Sequence, residues 1–328
     1  MKIFVTRKIP GTHLQRLIDK NHSVTVSEVD RPLTPTELID GIKGVDAVMT
    51  LLNDKIDGDV IDAAGPQLKI VSNYAVGFDN IDLQAATDRG VVVTNTPCDE
   101  VNVAVAEHTL ALLMNLARRI TEADKAVHEG AYKGWEPDIF LGSNVSGKTL
   151  GILGLGRIGG MVARLAKGVG MNISYTKREP DPQIEKELGA KFMALDELLA
   201  SSDFVSIHVP LTEDTRHMIN DSSLAKFKKG AFLVNTARGP IVDEHALVSA
   251  LRSGHLGGAA LDVFDNEPNL DPELIGLPNV VLTPHIASAT WEAREKMGEL
   301  AVDAILSVES DAKPANLANP DVWEKRRK

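Results

Sequence analysis

The chain has 328 residues, enough for two ordinary cores, and its 46 acidic against 35 basic side chains leave a formal net charge of -11. That balance argues against broad affinity for nucleic acid or an anionic membrane, and the single cysteine, Cys98, excludes an intrachain disulfide and a cysteine-rich zinc site. The apolar stretch at the N-terminus is too short for a signal peptide, and no later run reaches the ~18 residues of a membrane span, so no membrane association and a cytoplasmic location are expected.

Short runs rich in β-branched residues predict strands at 2–6, 47–50, 68–72, 91–94, 149–153, 172–175, 204–208, 231–235, 258–261 and 280–283. Amphipathic segments at 35–42, 159–170, 183–188 and 243–254 fall between them. Such alternation predicts an α/β fold with parallel sheets. Two longer helical runs break the rhythm. Residues 101–119 are apolar around most of the helix, which requires burial on several sides, and 290–308 form a second long helix near the C-terminus. Paired linking helices at these places predict a discontinuous domain, 1–100 plus 289–328, with a continuous domain of 101–288 inserted into it. The tail beyond Asp311 reads as a solvated end.

The strongest local motif is Gly154-Leu155-Gly156-Arg157-Ile158-Gly159, which follows the apolar strand 149–153 and opens a helix expected at 160–170. Gly154 permits a tight turn, Gly156 lets backbone approach a pyrophosphate, and Gly159 lets helix and strand pack closely. Free N–H groups at the positive helix end then face the anion. In this strand–turn–helix context the motif predicts dinucleotide binding. Enzymes that use NAD place an acid at the end of the next strand to hold the ribose 2′-hydroxyl. Here that strand runs into Lys177 and Arg178, which would attract a 2′-phosphate instead. NADP(H) is therefore the expected cofactor. Glu179 falls within the same spacing, so NAD(H) stays open.

Three later strands each end in reactive side chains: Asn235-Thr236-Ala237-Arg238-Gly239, Asp262 through Glu267, and Thr283-Pro284-His285 through Ser288. Ligands of open α/β sheets bind beyond the carboxyl ends of the strands. Carbonyl reduction by hydride needs a proton donor for the developing alkoxide, which suits a histidine. A nearby carboxylate would favour the charged imidazole, and an arginine can bind a planar carboxylate and stabilise negative charge on the carbonyl oxygen. Singly, none of Arg238, Glu267 and His285 is decisive: each has a plain reading, in turn as an ion-pair partner, a loop acid and a strand-end histidine, which for Glu267 is the better one. Together, behind a dinucleotide turn, they read as a catalytic set.

The stretches SNYAVGFDNID (72–82), TPCDEVNVAVAEHTLALLM (96–114), GLGRIG, VPLTEDTRHMI (209–219), NTARGPIVDE (235–244), ALDVFDNEP and TPHIASAT resemble the D-isomer-specific 2-hydroxyacid dehydrogenase family over almost the whole chain, most of all its glyoxylate/hydroxypyruvate reductase branch. The resemblance implies two Rossmann-like or flavodoxin-like domains with parallel sheets and an active site between them. It makes Arg238 the substrate anchor, Glu267 the partner of His285, and His285 the general acid in reduction. It matches Asp262 to the aspartate that orients the nicotinamide carboxamide. Substrate contacts fall on Leu52 in one loop and on Val76 and Gly77 in another. Cofactor contacts fall on Gly154, Leu155, Gly156, Arg157, Ile158, Gly159, Lys177, Arg178, Val209, Pro210, Thr236, Ala237, Arg238, Asp262, His285 and Ser288, with Thr109 a weaker match.

The implied partner is a small 2-oxo acid, and the implied reaction forms an (R)-2-hydroxy acid. Family members that use formate carry Gln where Glu267 stands, which argues against formate. Trp135 resembles an aromatic that approaches a neighbouring subunit's site, or is a plain helix-end residue. With the apolar helix 101–119 it points to a homodimer. No role follows for Cys98. His208 and His108 read as structural histidines, and Asp57 and Asp59 as turn and cap residues, so no metal is expected. The rival readings are another D-2-hydroxy acid, phosphite oxidation, and a nucleotide-sensing corepressor of the same fold.

Overall fold

The computed structural model describes all residues, 1–328, and the chain separates into two compact units, Met1–Val101 with Ala289–Lys328 and Asn102–Ser288.

In the first unit five strands run parallel: β1 (Lys2–Val5), β2 (Ser23–Val26), β3 (Ala47–Thr50), β4 (Ile70–Asn73) and β5 (Val92–Thr94), in the order β2-β1-β3-β4-β5. The inner strands β3 and β4 are buried at every position, as expected where helices cover both faces of a parallel sheet. Helix Trp291–Glu309 belongs to this unit. Thr290 caps it by accepting from the Ala293 N–H at 3.2 Å, and the Ser72 hydroxyl of β4 donates to the Ala301 carbonyl at 2.9 Å.

The C-terminal tail is docked, contrary to the solvated end expected from its charges. Asn319 is buried, and its side chain accepts from the Val93 N–H at 2.8 Å and donates to the Val91 carbonyl at 3.0 Å. With the Ala318 N–H, which donates to the Val93 carbonyl at 2.8 Å, this amide pairs backbone groups at edge strand β5. Arg327 then donates to the carbonyls of Arg89, Gly65 and Leu68. Arg327 is thus an anchor for backbone carbonyls, while Glu324, Lys325 and Lys328 stay exposed.

In the second unit seven strands run parallel: β6 (Thr149–Leu153), β7 (Asn172–Thr176), β8 (Lys191–Phe192), β9 (Phe204–Ile207), β10 (Ala231–Asn235), β11 (Leu256–Leu261) and β12 (Val280–Leu282), ordered β12-β11-β10-β9-β6-β7-β8. Strand order reverses at β6, the place where open α/β sheets bind ligands. The register is informative. Leu153 pairs with Thr176 on one side and Ile207 on the other; Ile207 pairs with Asn235, Asn235 with Leu261, and Leu261 with Leu282. The carboxyl ends of six strands therefore lie in one transverse row.

Helix Asp99–Arg118 runs out of the first unit into the second. Ala106, Leu112, Leu113, Leu116 and Ala117 enter the core cluster beside Leu150, Ile152 and Tyr175. Its one exposed stripe includes Val103, Glu107, Ala111 and Arg118.

Candidate active site

The row of strand ends builds the site. Gly154 leaves β6 at φ +94, where side chains are strained. A Cβ at Gly159 would come within 2.2 Å of the Gly154 carbonyl oxygen, so only glycine lets the helix pack against the turn. Helix Arg157–Gly168 starts inside the motif, three residues before the sequence estimate. Gly156, its N-cap, has no side-chain cap and faces open space, and the first turn carries no acid. The N–H groups of that turn have no acceptor in the helix, so they present partial positive charge to an anion. This geometry fits the pyrophosphate of a dinucleotide. Leu155 is buried in the core, which leaves only its main chain for a ligand.

At the end of β7, Lys177 Nζ donates to Asp181 Oδ2 at 3.2 Å. Arg178 is exposed and makes no hydrogen bond or ion pair within the protein. The two basic residues are thus unequal: one already has an anionic partner and the other does not. At the end of β9, the His208 imidazole lies 2.8 Å from the Ser206 hydroxyl, and desolvation lowers it to about 4, which keeps it neutral. Val209 and Pro210 follow directly, Val209 half-buried and Pro210 exposed.

The loop after β10 is shaped by Asn235, whose side chain donates to the Arg238 carbonyl at 2.9 Å and accepts from the Ala237 N–H at 3.0 Å. A Cβ at Gly239 would sit 1.9 Å from the Phe264 carbonyl, so glycine allows this loop to lie against the one after β11. The Arg238 guanidinium donates to the Ala237 carbonyl at 2.7 Å. Thr236 lies 2.8 Å, oxygen to oxygen, from Thr109 on the long helix. Thr109 spends its one proton on the Val105 carbonyl at 2.7 Å. Thr236 must then donate to Thr109, and it offers any ligand only lone pairs.

Glu267 and His285 meet, with Oε2 and Nδ1 2.9 Å apart. The other carboxylate oxygen of Glu267 accepts from the Phe264 N–H at 2.9 Å. Burial pushes this carboxyl up, but the His285 bond and charge, the Phe264 N–H and the Arg238 charge outweigh it and hold it below the ordinary value. Glu267 is therefore ionised at neutral pH and feels both the arginine and the histidine. His285 sits at φ +55, in a region that non-glycine residues seldom adopt.

Asp262 holds the loop around His285. Its carboxylate accepts from the N–H groups of Ile286 at 2.9 Å and Ala287 at 2.7 Å and from the Thr283 hydroxyl at 2.6 Å, while its carbonyl accepts from the His285 N–H at 2.9 Å. The Asp262 side chain has no exposed surface. Burial raises its carboxyl, and the donors, His108 among them, overcompensate and lower it. Ser288 follows Ala287 immediately and is half-buried. The approach of His108 and Thr283 to Asp262 was not legible in the sequence, since 175 residues separate His108 from Thr283.

The first unit presents its own candidate loops at the carboxyl ends of β3 and β4, where Thr50 pairs with Asn73. The Asn73 amide donates to the Gly77 carbonyl at 3.0 Å, and the Asn95 amide to the Val76 carbonyl at 2.7 Å. Asp54 accepts from the Leu51 N–H at 2.8 Å and from the Thr6 hydroxyl, which fixes the turn that carries the exposed Leu52.

A glycine-turn dinucleotide fold, with a carboxylate-paired histidine and an arginine on the neighbouring strand ends, defines a nicotinamide-dependent oxidoreductase. Residues 110–287 match the family model for the NAD-binding domain of D-isomer-specific 2-hydroxyacid dehydrogenases. A glyoxylate reductase of Thermococcus onnurineus is 48% identical over 99% of this chain and 98% of its own. Among solved structures, a Thermus thermophilus protein matches with a TM-score of 0.91 at 43% identity, over 97% of this chain and 100% of that one. An NADPH-dependent glyoxylate/hydroxypyruvate reductase of Sinorhizobium meliloti, solved with NADP and malonate, matches with a TM-score of 0.84 at 32% identity, over 100% and 98% of the two chains. The chain belongs to the D-isomer-specific 2-hydroxyacid dehydrogenase family and is an NAD(P)-dependent oxidoreductase.

Proposed function

We propose that this enzyme reduces glyoxylate and hydroxypyruvate to glycolate and D-glycerate with NADPH. The observation that carries the reading is the 2.9 Å pair of Glu267 and His285 on the strand-end row that also bears Arg238 and the glycine turn. The bound cofactor supplies hydride to the carbonyl carbon. Glu267 engages Nδ1 of His285, which leaves Nε2 to hand its proton to the carbonyl oxygen. Arg238 anchors the substrate carboxylate and stabilises the developing negative charge. Leu52, Val76 and Gly77 are the substrate-contacting residues proposed on the first unit. Gly154, Gly156, Arg157, Ile158 and Gly159 hold the pyrophosphate, with the main chain of Leu155. Val209, Pro210, Thr236, Ala237 and Ser288 line the rest of the cofactor site, and the fully buried Asp262 shapes it from beneath through the Ile286 and Ala287 N–H groups.

Preference for NADPH rests on Arg178, which is exposed and without a partner, whereas Lys177 is shared with Asp181. The S. meliloti reductase solved with NADP supports this choice. A homodimer is proposed from the exposed apolar side chains Ile120, Val127, Tyr132, Trp135, Leu141 and Ile275 of the second unit. Trp135 stands in the loop after helix Ile120–His128 rather than at the helix end.

The test is steady-state absorbance of the reduced nicotinamide, with NADPH and NADH each run against a panel of 2-oxo acids. Turnover restricted to larger 2-oxo acids, or a higher kcat/KM with NADH, would overturn the respective part of the proposal.

A further inference from the structure

We propose that His108, on helix Asp99–Arg118, is a positioning residue for the proton donor His285, acting through Thr283 and Asp262. This deepens the reading above and rests on His285 being the general acid. The Thr283 hydroxyl lies 2.6 Å from Asp262 Oδ1 and 3.2 Å from His108 Nε2. A carboxylate only accepts, so the threonine proton goes to Asp262. Thr283 can then only accept from the imidazole, and His108 must carry its proton on Nε2. That same nitrogen lies 3.5 Å from Asp262 Oδ1, so the donor also stands beside the carboxylate.

Asp262 in turn is the pin of the loop. Its carboxylate holds the N–H groups of Ile286 and Ala287, and its carbonyl holds that of His285. His285 also donates its N–H to the Thr283 carbonyl at 3.0 Å, so Thr283 touches the network through its hydroxyl and its backbone. The strained φ +55 of His285 persists only while these bonds define the loop. The Asp262 side chain has no exposed surface, so water cannot replace a donor removed from it. A helix that begins in the other unit thereby supplies one donor that fixes where the imidazole points.

His108→Leu removes the donor, and His108→Gln keeps an N–H near the same place. For His108→Leu the expected result is a kcat lower by about ten- to a hundredfold, the cost of a small misplacement of a reacting group. KM for glyoxylate and the dissociation constant for the cofactor should stay within about threefold. His108→Gln should restore kcat to within about threefold of the parent, which a purely steric role for the ring does not predict. Thr283→Val, nearly isosteric, should lower kcat to a similar extent, and the double variant should lose little more than either alone.

Should His108→Leu fold poorly, the Gln and Val variants carry the same comparison. The inference falls if either His108→Leu or Thr283→Val keeps kcat within twofold, or if Gln is as damaging as Leu. His285→Ala separates this from the reading beneath it. An inactive His285→Ala beside a silent His108→Leu refutes the positioning role alone, whereas an active His285→Ala refutes His285 as proton donor and this inference with it.

Discussion

Exchange of Glu267 for Gln isolates the charge of the carboxylate from its shape. Glu267 has two acceptor oxygens and both are in use, one by the Phe264 N–H at 2.9 Å and the other by His285 Nδ1 at 2.9 Å. An amide has one acceptor oxygen and one NH2 group. If its oxygen faces His285, two donors confront each other at Phe264; if it faces Phe264, its NH2 meets Nδ1, which accepts only in the neutral imidazole and not in the doubly protonated form that gives its Nε2 proton to the substrate. Neither flip satisfies the site with His285 protonated. A hydrogen bond to a charged partner contributes about 1.5–3 kcal/mol, and each 1.4 kcal/mol is tenfold in rate, so kcat should fall by about 10- to 100-fold. The loss should appear in kcat and kcat/KM together, as it does when an interaction specific to the transition state is removed. The assay is NADPH oxidation with glyoxylate, beside circular dichroism to verify the fold. A folded Glu267→Gln enzyme that keeps kcat within twofold would refute the claim that the carboxylate supports the proton donor.

Three further outcomes follow from other parts of the molecule. The double exchange Lys177→Asp with Arg178→Ala should lower the ratio of NADPH to NADH kcat/KM by at least tenfold; an unchanged ratio would remove both residues from 2′-phosphate recognition. His208 is lowered to about 4 from its ordinary 6.5, so the unfolded chain binds the extra proton first as pH falls. Its contribution to stability is complete above about pH 6.5 and is lost as pH falls towards 4, amounting to about 2 kcal/mol at pH 5. Urea unfolding of the parent and His208→Asn at pH 7 and pH 5 measures it, and equal slopes against pH would contradict it. Asn319→Ala would strand the buried Val93 N–H and Val91 carbonyl, at a cost of about 2–4 kcal/mol in urea unfolding. A cost below about 0.5 kcal/mol would mean that the tail is not anchored there.

Much of the fold was readable because hydrophobic alternation is a local property. All ten strands expected from the sequence are present, within a few residues of their expected bounds. The two that escaped notice, β2 and β8, are the outer edges of their sheets. β8 has two residues, both exposed, and β2 has no fully buried position, so neither carries the apolar run that marks an inner strand. Helix Ile120–His128 also escaped, since none of its residues is buried.

The amino-acid sequence by itself determined the parallel α/β class and the glycine turn, and it singled out Arg238, Glu267 and His285 as candidates. Each depends on residue type at short spacing: a glycine where φ is positive or a Cβ has no room, and a reactive side chain just past a strand. Tertiary structure decided what those residues touch. Strand register aligned six carboxyl ends in one row, packing brought His108 to Thr283, and Asn319 reached the edge of a strand more than 200 positions earlier in the chain. Such pairings depend on which distant backbone groups lack a partner, and hydrogen-bond satisfaction is a condition on the whole fold, invisible at any single window of sequence.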